Sequence, residues 1–125
     1  MTLLRVHALA AILFVAAIVV QIFLAGAALA QLGGSGNFTT HIDFGYYIVG
    51  ITGLAVLVTA LVARRTRRDV GISAGLFVLY FVQTLLPTFK GSVPFIAALH
   101  PLNAAVLLIL ALWYARRTWQ ASMVG

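Results

Sequence analysis

Four long apolar runs, separated by short polar or glycine-rich stretches, organise this sequence. They occupy about residues 8–32, 38–63, 70–88 and 94–115. Each is close to the roughly 20 residues needed to cross about 30 Å of hydrocarbon at 1.5 Å per residue. Only helices and closed barrels satisfy their backbone groups in lipid, and the runs lack the period-two alternation of barrel strands. They predict an all-α membrane protein: an up-down-up-down bundle of four transmembrane helices, forming a single domain over residues 1–125. Gly33-Gly34-Ser35-Gly36 supplies the turn before the second helix, with Ser35 or Asn37 as its cap.

Composition strengthens this reading. The chain is 63% hydrophobic and 8% charged, with a mean hydropathy of +1.11, whereas soluble domains run near half apolar and a quarter charged. A water-soluble domain of this size could not hide so much apolar surface. Cysteine is absent, which excludes disulfides, thiolate metal sites and cysteine nucleophiles. Arg5, an apolar stretch and the small residues Ala27 to Ala30 resemble a secretory signal. The stretch from Ala8 to Leu32 is longer than the roughly 7–15 apolar residues of such a signal, so a retained first span is expected.

Charge sets the orientation. Arg5 precedes the first span; Arg64, Arg65, Arg67 and Arg68 lie between the second and third; Arg116 and Arg117 end the fourth. Lys90 alone falls on the other side. The positive-inside rule then places both termini in the cytoplasm, in a multi-pass protein of a bacterial inner (plasma) membrane. The net charge of +6 serves topology and contact with the lipid bilayer, and no nucleic-acid partner is expected. Trp113, Tyr114 and Trp119 fit the inner aromatic belt. His7 reads as an interfacial residue without a partner, and Asp43 as an outer-surface carboxylate near a helix N-terminus.

A short internal repeat bears on chemistry. Val20-Gln21 in the first span is matched by Val82-Gln83 in the third, and His41 in the second by His100 in the fourth. Each helical hairpin therefore reads Val-Gln, an outer loop, then a histidine entering the next helix. Two such hairpins about a pseudo-twofold axis are a known way to build a membrane site. His41 and His100 should lie at similar depths, about 3 Å apart, on parallel helices. Those helices are diagonal in a four-helix bundle, about 11–14 Å apart given neighbour spacings of 8–10 Å. That gap admits one metal atom between two imidazoles, with a flat macrocycle around it, which is the coordination of haem. Zinc would want four ligands. Gly45, Gly50 and Gly53, with Ala97, Ala98, Ala104 and Ala105, leave space beside the histidines. Phe38, Phe44, Phe89 and Phe95 are candidates for the ring edges, and Lys90 for a propionate. Gln21, Gln83 and Asn103 read as interhelical hydrogen-bonding residues.

The stretch from Val82-Gln83-Thr84-Leu85-Leu86 through Val93-Pro94-Phe95-Ile96-Ala97-Ala98-Leu99-His100-Pro101-Leu102-Asn103-Ala104-Ala105 resembles the last two helices of haem A synthase. Gln21 to Gly26, Gly33 to Gly36 and His41 are similar to that family's other hairpin. The chain also resembles a group of small four-span bacterial proteins. Haem A synthases have two four-helix bundles, each binding haem through histidines on its second and fourth helices. The resemblance implies ligand roles for His41 and His100. It does not carry the activity across: Phe38 stands where the catalytic half has a glutamate, the outer-loop cysteine pair is absent, and only one bundle is present. Haem A synthase activity is not expected.

The expected function is a small membrane cytochrome binding one bis-histidine haem b near the outer face, for electron transfer or haem handling. Its partner would be a membrane redox protein or a quinone, and a homodimer or a larger complex is open. The alternative is a non-catalytic accessory subunit of a larger membrane complex, with structural histidines. A small transporter is disfavoured, because no ionisable residue is expected in the middle of the bundle and Asp43 is the only acid outside the cytoplasmic loop between the second and third spans, where Asp69 is expected.

Overall fold

A computed structural model describes residues 2–34 and 36–124. Among them there is no strand, and four helices are long and apolar enough to cross a membrane: α1 (Leu3–Leu29), α2 (Thr39–Val62), α3 (Arg67–Gly91) and α4 (Pro94–Val124). α1 begins before its apolar run but stops at Leu29, α2 falls within its run, and α3 and α4 extend beyond theirs. The Thr2 side chain caps α1 by accepting from the Arg5 N–H, which starts that helix ahead of residue 8. α4 continues through the arginines to Val124, a length of about 46 Å at 1.5 Å per residue. A change from apolar to polar side chains ends the lipid-facing stretch without ending the helix.

The ends of the other helices have local causes. The N-cap of α2 is Phe38, which makes no side-chain cap bond; Asn37, expected as the cap, stands one residue earlier, where its Oδ1 accepts from the Thr39 N–H at 3.2 Å, and Ser35, the other expected cap, lies outside the described residues. Thr66 caps α3 through the Asp69 N–H at 3.2 Å. α3 closes in a 3-10 turn, Leu86–Gly91, with Pro87 near its start.

α1 and α3 each pack on both α2 and α4, so the diagonals are α1/α3 and α2/α4. The core between them is Phe14, Val56, Leu76, Leu107 and Ala111. Small residues such as Ala8, Ala11 and Ala60 let the backbones approach, because lipid offers no hydrophobic drive and close contact must do the work. Leu13, Phe23, Ile51, Val78 and Ile109 are exposed and form the outward apolar face. Trp113 and Trp119 are exposed as expected of a belt, but Tyr114 is fully buried.

α2 contains one π-helical turn, Gly45–Val49. There the Gly50 N–H reaches back to the Gly45 carbonyl, which takes it from the Tyr46 carbonyl that an α-helix would give it. The Tyr80 hydroxyl from α3 donates to that Tyr46 oxygen at 3.2 Å. Gly50 makes this possible, since a Cβ there would stand 2.5 Å from the Tyr80 hydroxyl oxygen. Gly50 and Gly53 are thus occupied by Tyr80 and Phe14; they do not provide open space beside the histidines.

Candidate functional site

The repeat in the sequence becomes a repeat in space. His41 on α2 places Nδ1 3.1 Å from the Gln21 carbonyl of α1. His100 on α4 places Nδ1 3.0 Å from the Gln83 carbonyl of α3. In each hairpin the glutamine side chain then turns to the other ring nitrogen: Gln21 Nε2 is 3.3 Å from His41 Nε2, and Gln83 Nε2 is 3.2 Å from His100 Nε2. The two imidazoles meet across the α2/α4 diagonal with ring centroids 6.3 Å apart and planes at 77°.

The hydrogen-bond directions can be fixed from backbone groups, whose roles are not ambiguous. Asn103 Nδ2 donates to the Leu79 carbonyl at 3.1 Å and to Gln83 Oε1 at 2.7 Å. The Gln83 amide nitrogen therefore faces His100 and donates, so His100 Nε2 accepts and the proton sits on Nδ1. Gln21 Nε2 donates to the His41 carbonyl at 2.8 Å, which sets the same tautomer on His41. Both rings carry N–H toward a backbone carbonyl, and each Nε2 lone pair is met by a glutamine amide. A backbone carbonyl on the far nitrogen is the usual device for aiming a metal-ligating imidazole. Gly45 is needed for this geometry, because a Cβ there would lie 2.6 Å from Gln21 Nε2.

The pair borders a cavity of about 280 Å³, whose walls include Ile18, Ile22, Val49, Ala104 and Leu107; Gly45 also lines it, but the space beside Gly45 is taken by the Gln21 amide. Tyr46, Tyr80, Thr84 and Thr88 add hydroxyl groups to an otherwise apolar lining. Phe38 packs edge-on against His41 at 6.0 Å between centroids, while Phe89 and Phe95 are exposed and Phe44 packs against the core. Lys90 is exposed on the same 3-10 turn as Pro87 and Thr88 and is not part of the cavity wall. Ala97, Ala98 and Ala105 lie outside the wall as well. Asp43 is exposed.

A family model, described as a family of unknown function (DUF6220), matches residues 21–89, more than half of the chain. The chain belongs to that family. The matched stretch begins at Gln21 and takes in His41 and Gln83; His100 lies beyond it. Comparison with curated proteins and with solved structures returns no match. The DUF6220 match covers the end of α1, all of α2 and most of α3, and stops before α4.

The opposite end of the bundle carries a network that the sequence did not announce. His7, expected as an interfacial residue without a partner, is 1% exposed. Its Nδ1 is 2.9 Å from Thr59 Oγ1 and its Nε2 3.0 Å from the Tyr114 hydroxyl. Thr59 spends its own proton on the Ala55 carbonyl at 2.6 Å, so it accepts from His7; the Tyr114 hydroxyl has one proton and stands between two partners, His7 Nε2 at 3.0 Å and the Asp69 carbonyl at 3.1 Å. Ser73 donates toward Tyr114 at 3.0 Å. Asp69, expected in the loop between the second and third spans, is fully buried in the first turn of α3. It pairs with Arg65 at 2.9 Å and Arg117 at 3.2 Å. All four helices contribute a polar group here. The signal available in the sequence was the pairing of a lone acid with flanking arginines; His7 and Tyr114, 107 positions apart, gave none.

Proposed function

We propose that this protein is a small membrane cytochrome that holds one haem b between His41 and His100, for electron transfer or haem handling. The observation that carries the reading is the ring pair. Two metal–imidazole bonds of about 2 Å, plus about 1.1 Å from each nitrogen to its ring centre, require centroids about 6 Å apart. The observed separation is 6.3 Å, and both histidines line the cavity.

The donor set suits a macrocycle better than a bare ion. Among the described residues no group of three or more His, Cys, Asp or Glu could hold a metal, so a metal at the pair would need its other ligands from elsewhere. A porphyrin supplies them, with the two imidazoles as axial ligands. The cavity, at about 280 Å³, falls just below the roughly 300–1,000 Å³ usual for cofactor sites. Rotation of the Gln21 and Gln83 carboxamides away from Nε2 adds to it. Bound haem would supply a one-electron couple; His41 and His100, oriented by the Gln21 and Gln83 carbonyls, would hold it in largely apolar surroundings. Lys90, exposed on the nearby turn, is a candidate partner for a propionate. The resemblance to one half of haem A synthase supports the same pair of ligands, with Phe38 arguing against that enzyme's activity. The arginine clusters support cytoplasmic termini, which would put the haem near the outer face.

The test is the visible spectrum of the protein purified with haem available. A low-spin species with one haem per chain is expected, absent from both His41→Ala and His100→Ala and retained in His7→Ala. A colourless wild type, or a low-spin haem surviving in both outer variants, would overturn the reading in favour of an accessory subunit with structural histidines.

A further inference from the structure

The polar atoms that line the cavity have mostly given their protons away. Tyr80, Thr84 and Thr88 donate their hydroxyl protons to the backbone carbonyls of Tyr46, Phe81 and Leu85, at 3.2, 2.8 and 2.7 Å. Gln21 Nε2 is engaged twice by His41, through the ring nitrogen and the carbonyl. Both imidazole N–H groups point to backbone carbonyls. The Tyr46 hydroxyl and one N–H of Gln83 are the side-chain donors that remain in the wall. Acceptors are in surplus, and one of them is costly: Gln21 Oε1 is buried without a hydrogen-bond partner among the described residues. A buried carbonyl oxygen with no donor forfeits the hydration it had in water. Such a wall is matched to a molecule that brings a donor of its own.

The wall also shows where that molecule enters. Ile18, Val49, Tyr80 and Leu107 form its buried side. Its exposed part is Ile22, Ile42 and Tyr46 on one flank and Pro87 and Thr88 of α3 on the other. The backbone explains the opening. Gly50–Val62 of α2 packs on α3, whereas Thr39–Phe44 packs on α1 and the π turn and not on α3. The two helices therefore part toward the histidine end, and the gap between them lies near the end of the apolar spans, facing lipid. Volume narrows the class further. An apolar cavity of about 150 Å³ is enough to hold benzene, so about 280 Å³ takes one substituted ring. The rings of Tyr46 and Tyr80 in the wall favour an aromatic partner, and a ring loses less rotamer freedom on binding than a flexible chain.

We infer that this cavity is a binding site for a lipid-soluble phenol, a single aromatic ring that enters between α2 and α3 and donates its hydroxyl to Gln21 Oε1. The inference goes beyond the haem reading and does not rest on it. The phenol keeps the Gln21 carboxamide on His41, whereas haem requires that carboxamide to rotate away, so the two ligands compete for the site.

The test is titration of the full chain, purified without added haem, with para-butylphenol and with para-butylanisole, which keeps the ring and chain but has no O–H. NMR signals of the Gln21 side-chain amide and the His41 ring report binding. The phenol should bind about tenfold more tightly than the ether, the factor that one hydrogen bond to an unsatisfied buried group is worth. Gln21→Met, which keeps the length and removes the oxygen, should bring the phenol down to the affinity of the ether. Ala104→Leu, which fills part of the cavity, should weaken both ligands. With the ether comparison, it carries the test if Gln21→Met does not fold. Equal affinities for phenol and ether, no binding of either, or binding untouched by Ala104→Leu would overturn the inference. Each of those results leaves the low-spin spectrum that tests the haem reading unaffected. A protein that stays colourless with haem yet prefers the phenol would defeat the haem reading alone.

Discussion

The two ends of the bundle use histidine in opposite ways. At the arginine-rich end His7 is enclosed, and both ring nitrogens are spent on hydroxyl groups, those of Thr59 and Tyr114. At the other end His41 and His100 each spend one nitrogen on a backbone carbonyl and leave the other beside a cavity, met only by a rotatable carboxamide. A histidine whose two nitrogens have short, rigid partners has no lone pair to offer. One whose second nitrogen is met by a flexible amide next to open volume does. Residue type and membrane depth do not separate these cases; partner rigidity and free volume do.

The contrast predicts that damage to one end leaves the other intact. The largest effect on stability is expected from Asp69→Ala, which leaves Arg65 and Arg117 without the buried carboxylate they share. Breaking such a pair costs about 3 kcal/mol or more, measurable by unfolding in mixed micelles, and the tautomers of His41 and His100 should not change. Tyr114→Phe should cost about 1–3 kcal/mol, because it removes the hydroxyl that His7, Ser73 and the Asp69 carbonyl share in a dry site. If either variant altered His41 or His100, the two ends would be coupled and the comparison broken.

Gly45→Ala acts at the other end. Its Cβ would press on Gln21 Nε2, so it should displace that amide from His41 at a cost of about 1 kcal/mol. The NMR signals of His41 should shift while those of His100 and His7 stay in place. Phe95→Ala sharpens the comparison from below. Phe95 is 75% exposed and outside the cavity wall, so its removal should stay within about 0.5 kcal/mol and leave all three histidines unchanged.

Much of the fold was legible because membrane insertion is scored locally. Around twenty apolar residues in a row specify a helix whatever surrounds them, and the α2/α4 diagonal follows from short connections. The Val-Gln and His repeat also located the pair. The glutamines were expected to hydrogen-bond between helices, and they do, though their partners proved to be the histidines themselves. His7, Tyr114 and Asp69 were misread for one reason: in lipid both the outward and the inward faces of a helix are apolar, so hydropathy does not mark which side is buried. The glycines failed similarly, since a missing side chain does not say whether a neighbour fills its place.

By itself, then, the sequence determined four helical spans, their hairpin pairing and the two positions at which histidines could meet, because each depends on hydropathy or spacing along the chain. Tertiary structure alone decided the rest. It turned Asn103 onto Gln83 while leaving Gln21 Oε1 without a donor, closed His7 between Thr59 and Tyr114, and drew Asp69 into the bundle end between two arginines. Those outcomes depend on hydrogen-bond partners supplied by other helices at distances of about 3 Å, and no local property of the chain encodes which helix face will present them.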